Sequence, residues 1–143
     1  MSLQQHEIEN VTDYLVEIFG EDYPWRWDEQ KNVRLSEFAS NKKENIFALL
    51  EEEFDHQWDI NNIRYAPSAL KIQLGALVKL QKNQVVFTSP AKDDKPMLVG
   101  IWWPWGHGGT VSLRLTALTD TYQPDEIKQK KDSLITVIKK LFS

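Results

Sequence analysis

The sequence predicts an α+β fold: an antiparallel sheet of about four to five strands in meander order, with two N-terminal helices and one long C-terminal helix packed on one face. Three observations predict it. An apolar stripe of helical spacing opens the chain, short alternating or continuous apolar runs between turn signals fill its middle, and a second helical stripe closes it. Strands grouped centrally between helices favour an antiparallel sheet over a parallel one. No linker, internal repeat or low-complexity tract divides the 143 residues, so residues 1–143 are read as a single domain.

Each element has its own signal. Ile8, Val11, Leu15 and Ile18 lie on one helical stripe that ends near Gly20. Residues 21–31 read as a loop around Pro24, in which Trp25 and Trp27, two apart, point the same way if the backbone is extended. Asn41 with Glu44 resembles a capping box, and Ile46, Phe47, Leu50 and Phe54 behind it predict a helix over 42–54. From Leu70 to Leu80 the even positions are all apolar, and Leu77 is the one exception among the odd ones, which predicts a half-buried strand. Ser68 after Pro67, with Leu70, Leu74, Leu77 and Val78, gives a competing helical reading. Lys82 and Asn83 form a turn into a strand at Val85 to Ser89. A polar loop between Pro90 and Pro96 precedes a buried strand from Met97 to Trp103, and the turn Gly106-His107-Gly108-Gly109 leads to a strand carrying Val111, Leu113 and Leu115. Pro124 with Asp125 and Glu126 starts the last helix, whose stripe is Ile127, Leu134, Ile135, Ile138, Leu141 and Phe142.

Composition excludes several functions. With no cysteine there is no thiol catalysis and no cysteine metal site. No apolar run approaches the roughly 18–20 residues that cross a bilayer, and the opening MSLQQHEIEN lacks the regions of a secretory signal, so a cytoplasmic protein is expected. The net charge of −4 conceals a split: residues 1–60 hold 15 acidic and 5 basic side chains, residues 61–143 hold 6 and 12. The two halves can neutralise one another in the fold, or they can leave an acidic face for a basic partner. Dispersed basic residues and a sequence pI near 5.4 disfavour nucleic acid.

The most unusual local feature is Trp102-Trp103-Pro104-Trp105. Neighbours on a strand point to opposite faces, so one indole can enter the core while the next must find a second layer, a ligand or a partner. Trp102, Trp103, Trp105 and His107, with Trp25 and Trp27, are therefore the candidate ligand- or partner-binding residues. The alternative is that Trp25 and Trp27 fold over the sheet and bury the other rings. The glycines around His107 superficially match an esterase oxyanion loop, but there is no Gly-x-Ser-x-Gly, and a hairpin needing positive φ explains them. Asp55, His56 and Asp59, near Glu51, Glu52 and Glu53, lack any diagnostic metal spacing, and neither metal nor cofactor is expected. The three glutamates instead pose a conflict, since they crowd the predicted C-terminal turn of a helix, where the macrodipole disfavours anions; Arg64 or the final lysines would be an internal answer. Asp93-Asp94-Lys95 reads as turn composition, and the lysines of the last helix read as flanks of a docking stripe rather than a membrane surface.

The sequence thus leads to a non-enzymatic binding or adaptor protein that engages a protein partner through an acidic face and a tryptophan-rich surface. The alternatives are a small-molecule site lined by the tryptophans and His107 between sheet and helices, an enzyme using His107 with a nearby carboxylate, and a homodimer formed through the sheet.

Overall fold

The computed structural model describes residues 3–119. The expected C-terminal helix, residues 124–142, lies outside them. Helix α1 (Gln5–Phe19) buries Ile8, Leu15 and Phe19 on one stripe, and Thr12 on the same stripe satisfies its hydroxyl by donating to the Ile8 carbonyl at 2.6 Å. Gly20, at φ +89°, ends the helix as anticipated. Strands β1 (Arg26–Asp28) and β2 (Val33–Ala39) follow, turning through Asn32 at φ +57°. The expected loop at 21–31 thus contains a short strand, and β2 carried no anticipated element at all.

Helix α2 (Lys43–Glu53) buries Ile46 and Leu50. The Asn41–Glu44 capping box does not form: a single 3-10 turn, Ser40–Lys42, precedes the helix, which starts with Lys42 in the cap position and no side-chain cap. Asn41 is therefore inside a turn, where a capping residue with extended backbone cannot be. Strand β3 (His56–Trp58) and a 3-10 turn at Ile63–Tyr65 lead to α3 (Ser68–Leu74) and a further 3-10 turn, Gly75–Val78. Strands β4 (Val85–Ser89), β5 (Met97–Pro104) and β6 (Thr110–Leu118) complete the described chain.

The strand expected over 70–80 is helical. In a strand Leu70, Ile72 and Leu74 would share a face; here Leu70 and Leu74, four apart, are buried while Ile72 is 78% exposed. The alternation was produced by long polar residues, Lys71 and Gln73, that are also good helix formers. Gly75, at φ +56°, ends the α-helix.

The six strands form one antiparallel sheet in the order β1-β2-β6-β5-β4-β3. The meander β3-β4-β5-β6 accounts for one part, and β2 returns to pair with β6, placing Phe38 opposite Val111 and Leu35 opposite Arg114. The helices do not gather on one face, as the sequence suggested. A first core joins Ile8, Leu15 and Phe19 of α1 and Ile46 and Leu50 of α2 to Phe38, Phe87, Trp102, Leu113 and Leu115. A second joins Leu70 and Leu74 of α3 to Trp58, Val86, Met97, Val99 and Ile101 on the other side. The reason lies in the central strands: all five residues of β4 and the first six of β5 are buried, and a strand apolar on both faces requires a covering layer on each.

Polar atoms inside these layers are mostly paired. The Trp58 indole N–H donates to Thr88 Oγ1 at 2.9 Å across β3 and β4. Thr88→Val keeps the volume and removes that acceptor, so an expected loss of about 1–3 kcal/mol should appear in urea unfolding. An unchanged midpoint would mean that the indole is satisfied in another way.

Candidate binding groove

The β5–β6 hairpin positions the candidate aromatic residues. Trp102, paired with Val85 and Leu113, faces α1 and α2, where it is 4% exposed and meets Phe47 edge-on at 5.0 Å and Phe38 at 5.9 Å. Trp103 points to the opposite face and is half-buried. Pro104, opposite Val111, is the last paired residue of β5, consistent with its lack of an N–H. Trp105 follows, 39% exposed, yet it is held firmly: its indole N–H donates to Ser112 Oγ at 2.7 Å and its backbone N–H to the Thr110 carbonyl at 2.9 Å. Gly108, at φ +82°, makes the turn that the glycines predicted.

Between this hairpin, the outer flank of α2 and the turn before β4 lies an open groove of about 830 Å³. Phe47 and Trp102 line it, Trp103 and Trp105 border it and also the hollow on the opposite face, and Lys43, Glu44, Glu51 and Lys82 supply its charges. The α2 residues were not among the sequence candidates. Their signal was present, because Glu44, Phe47, Ala48 and Glu51 form one row at spacings of three and four, off the Ile46–Leu50 stripe.

The other candidates lie elsewhere. Trp25 and Trp27 pack, partly buried, on the first core, which also holds Trp102, and Trp25 stacks on Phe19 at 6.0 Å. His107 is outside the groove but together with Trp103 and Trp105, in a smaller hollow of about 440 Å³ that also includes Glu37, Ser112 and Arg114. Its Nδ1 accepts the Gly109 N–H at 2.9 Å and its ring meets Trp105 edge-on at 5.5 Å, while Glu37 forms an ion pair with Arg26 at 2.7 Å. Among the described residues, no three His, Asp or Glu side chains converge as a metal site would, and no helix is long and apolar enough to cross a membrane.

The charge split becomes a surface. Residues 5–22, α1 and its exit, carry six acidic and no basic side chains; residues 43–55, α2 and its exit, carry five acidic and one basic. Both helices lie on the same face of the sheet. Of the ion pairs among described residues, Asp13–Arg34 and Asp55–Lys92 reach this layer, and only the second links the two halves of the sequence. Arg64 does not answer the glutamates of α2: its guanidinium lies 4.9 Å over the Tyr65 ring. Tyr14 lies beside the acidic end of α2, and its hydroxyl pKa is raised, first by burial and then by the charges of Glu53 and Asp55. Compared with known proteins, the chain matches no family model, no curated protein and no solved structure.

Proposed function

We propose that the protein is a non-enzymatic binding module that takes a basic segment of a protein partner across the α1–α2 layer and into the groove beside Trp105. One observation carries this reading: among the described residues the acidic two-helix layer makes only two ion pairs, and it borders a groove lined in part by Trp105, which is held by Ser112 and 39% exposed. Negative potential draws in a basic chain and raises its association rate. Trp105 then offers a flat ring to an arginine or lysine, with Glu44 and Glu51 as counter-charges. Rigidity helps here, because a ring already bound to Ser112 loses little freedom on contact. The proposal includes the long C-terminal helix expected from Pro124 onward, whose five lysines leave the acidic layer uncompensated if that helix lies on the opposite face.

Affinity capture of partners on immobilised protein, repeated with Trp105→Ala, tests the reading. The expected loss is about 2 kcal/mol or more, roughly 30-fold in affinity, with the far-UV circular dichroism unchanged. Undiminished capture by a folded Trp105→Ala protein would remove the basis of the proposal. A small-molecule reading is favoured by one observation, the groove's size, since about 830 Å³ lies within the range of roughly 300–1,000 Å³ typical of ligand pockets. Saturable quenching of tryptophan fluorescence by small flat cations, abolished by Phe47→Ala, would support that alternative.

A further inference from the structure

The second face of the sheet is covered unevenly. The segment 59–80 covers β3, β4 and β5 through Ile63, Leu70 and Leu74, and the core it builds includes neither Val33 nor Leu35 of β2. Those two residues point to this same face: Leu35 stands opposite Arg114, Arg114 opposite Ile101, and Ile101 opposite Val86. Val33 and Leu35 are nevertheless 5% and 4% exposed, and Arg114 Nε is buried without a hydrogen-bond partner. A side chain on an uncovered sheet face keeps much of its surface in water. Neither core cluster includes Val33 or Leu35, and of the described segments beyond the sheet and its β1–β2 turn only Leu3 and, from α3, Gln73 and Leu74 reach the rim of the hollow that Val33 and Arg114 line. This hollow, of about 510 Å³, is bounded by Leu74, Val33, Val99, Trp103 and Leu118.

We propose that residues 120–143 supply the covering layer, docking as an amphipathic helix on β2 and β6, on the face opposite α1 and α2. Leu118, the last residue of β6, itself lines the hollow, so the chain leaves the sheet where the docking surface begins. Five residues, 119–123, are an ordinary length for a turn from strand to helix. Ile127, Leu134, Ile135, Ile138, Leu141 and Phe142 fall within one sector of a helix, an apolar stripe with no described partner. A helix over 124–142 is about 28 Å long. The nine residues of β6 span about 30 Å. Turned back along β6, the helix runs the length of the sheet and brings Leu141 and Phe142 toward the Trp103 end. A second copy of the chain, or a lipid surface, would use the same stripe without contact to Leu35 of its own chain.

The 143-residue chain tests this directly, because it contains no cysteine of its own. Leu35→Cys is combined in turn with Leu134→Cys, Ile135→Cys and Ile138→Cys, and with Thr136→Cys on the far side of the helix as control. Mild oxidation is expected to close an intramolecular disulfide in at least one stripe pair, about tenfold more than in the control, seen as a monomer mass lower by two hydrogens. Equal yields in all pairs, or links only between two chains, would overturn the proposal. A second measurement needs no change at Leu35: Ile138→Asp should lower the melting temperature by roughly 8 °C or more and open Trp103 to acrylamide quenching, while Thr136→Asp shifts it by about 2 °C or less. Equal shifts in the two variants count against docking.

Discussion

Trp102→Ala is expected to lower stability by about 3–5 kcal/mol and the melting temperature by roughly 10–20 °C. The indole is 4% exposed and stands on the central strand β5, between Val85 of β4 and Leu113 of β6. Its ring also joins the two sources of the first core, meeting Phe47 of α2 at 5.0 Å and Phe38 of β2 at 5.9 Å. Truncation therefore removes the transfer free energy of a large ring, loses two aromatic contacts and leaves a cavity that strands on both sides prevent from closing. Trp105→Ala, by contrast, deletes an exposed ring and one hydrogen bond and should cost about 1–2 kcal/mol. Urea unfolding followed by far-UV circular dichroism separates the two. Similar losses would mean that the inward and outward assignments of these neighbouring indoles are wrong.

That contrast was partly legible in the sequence. Strand alternation required Trp102 and Trp103 to point apart, so one buried and one outward indole followed from backbone geometry alone, whereas Pro104 does not end the cross-strand bonding, since the Trp105 N–H still reaches the Thr110 carbonyl. Which of them was buried did not follow, because it depends on β4 and β6 lying on either side of β5. The glycine turn, α1 with its Gly20 terminus, and the strands from Val85 onward were equally readable, since each rests on local pattern. The failures have a common physical form. Residues 70–80 satisfied both periods, and burial of Leu70 and Leu74 against β4 and β5 decided between them. Strand β2 contains Arg34, Ser36 and Glu37 and shows no clean apolar alternation, yet Arg34 is accommodated by bonds to Asp13 Oδ1 at 2.6 Å and to the Glu9 carbonyl at 3.1 Å on α1. The groove was legible only by its hairpin side. Its α2 side needed the helix rotation fixed by Ile46 and Leu50, a tertiary fact.

Reversing two charges at the end of α2, Glu51→Lys with Glu52→Lys, is expected to stabilise the fold while weakening partner capture. Glu51, Glu52 and Glu53 occupy the last turn of α2 with no basic residue among them. There the helix dipole presents its negative end, and each misplaced charge costs about 0.3–1 kcal/mol at low ionic strength. Tyr14, beside these glutamates, has its hydroxyl pKa raised, first by burial and then by the charges of Glu53 and Asp55. Lysines at 51 and 52 turn two unfavourable terms into favourable ones, so a gain of about 1 kcal/mol is expected, read as a rise of roughly 3–5 °C in melting temperature. It should fade toward zero in 1 M salt, where the Debye length falls to about 3 Å. On the proposed reading, capture of a basic partner should fall by about tenfold or more in low salt, because Glu51 borders the groove and both charges would steer the approach. A residue set that makes its own helix less stable is expected where the charge serves an encounter rather than the fold. The two measurements together decide the matter. If stability rises and capture persists, the acidic layer does not bind the partner; if stability falls, the glutamates hold the fold together, and the functional reading of their placement is lost.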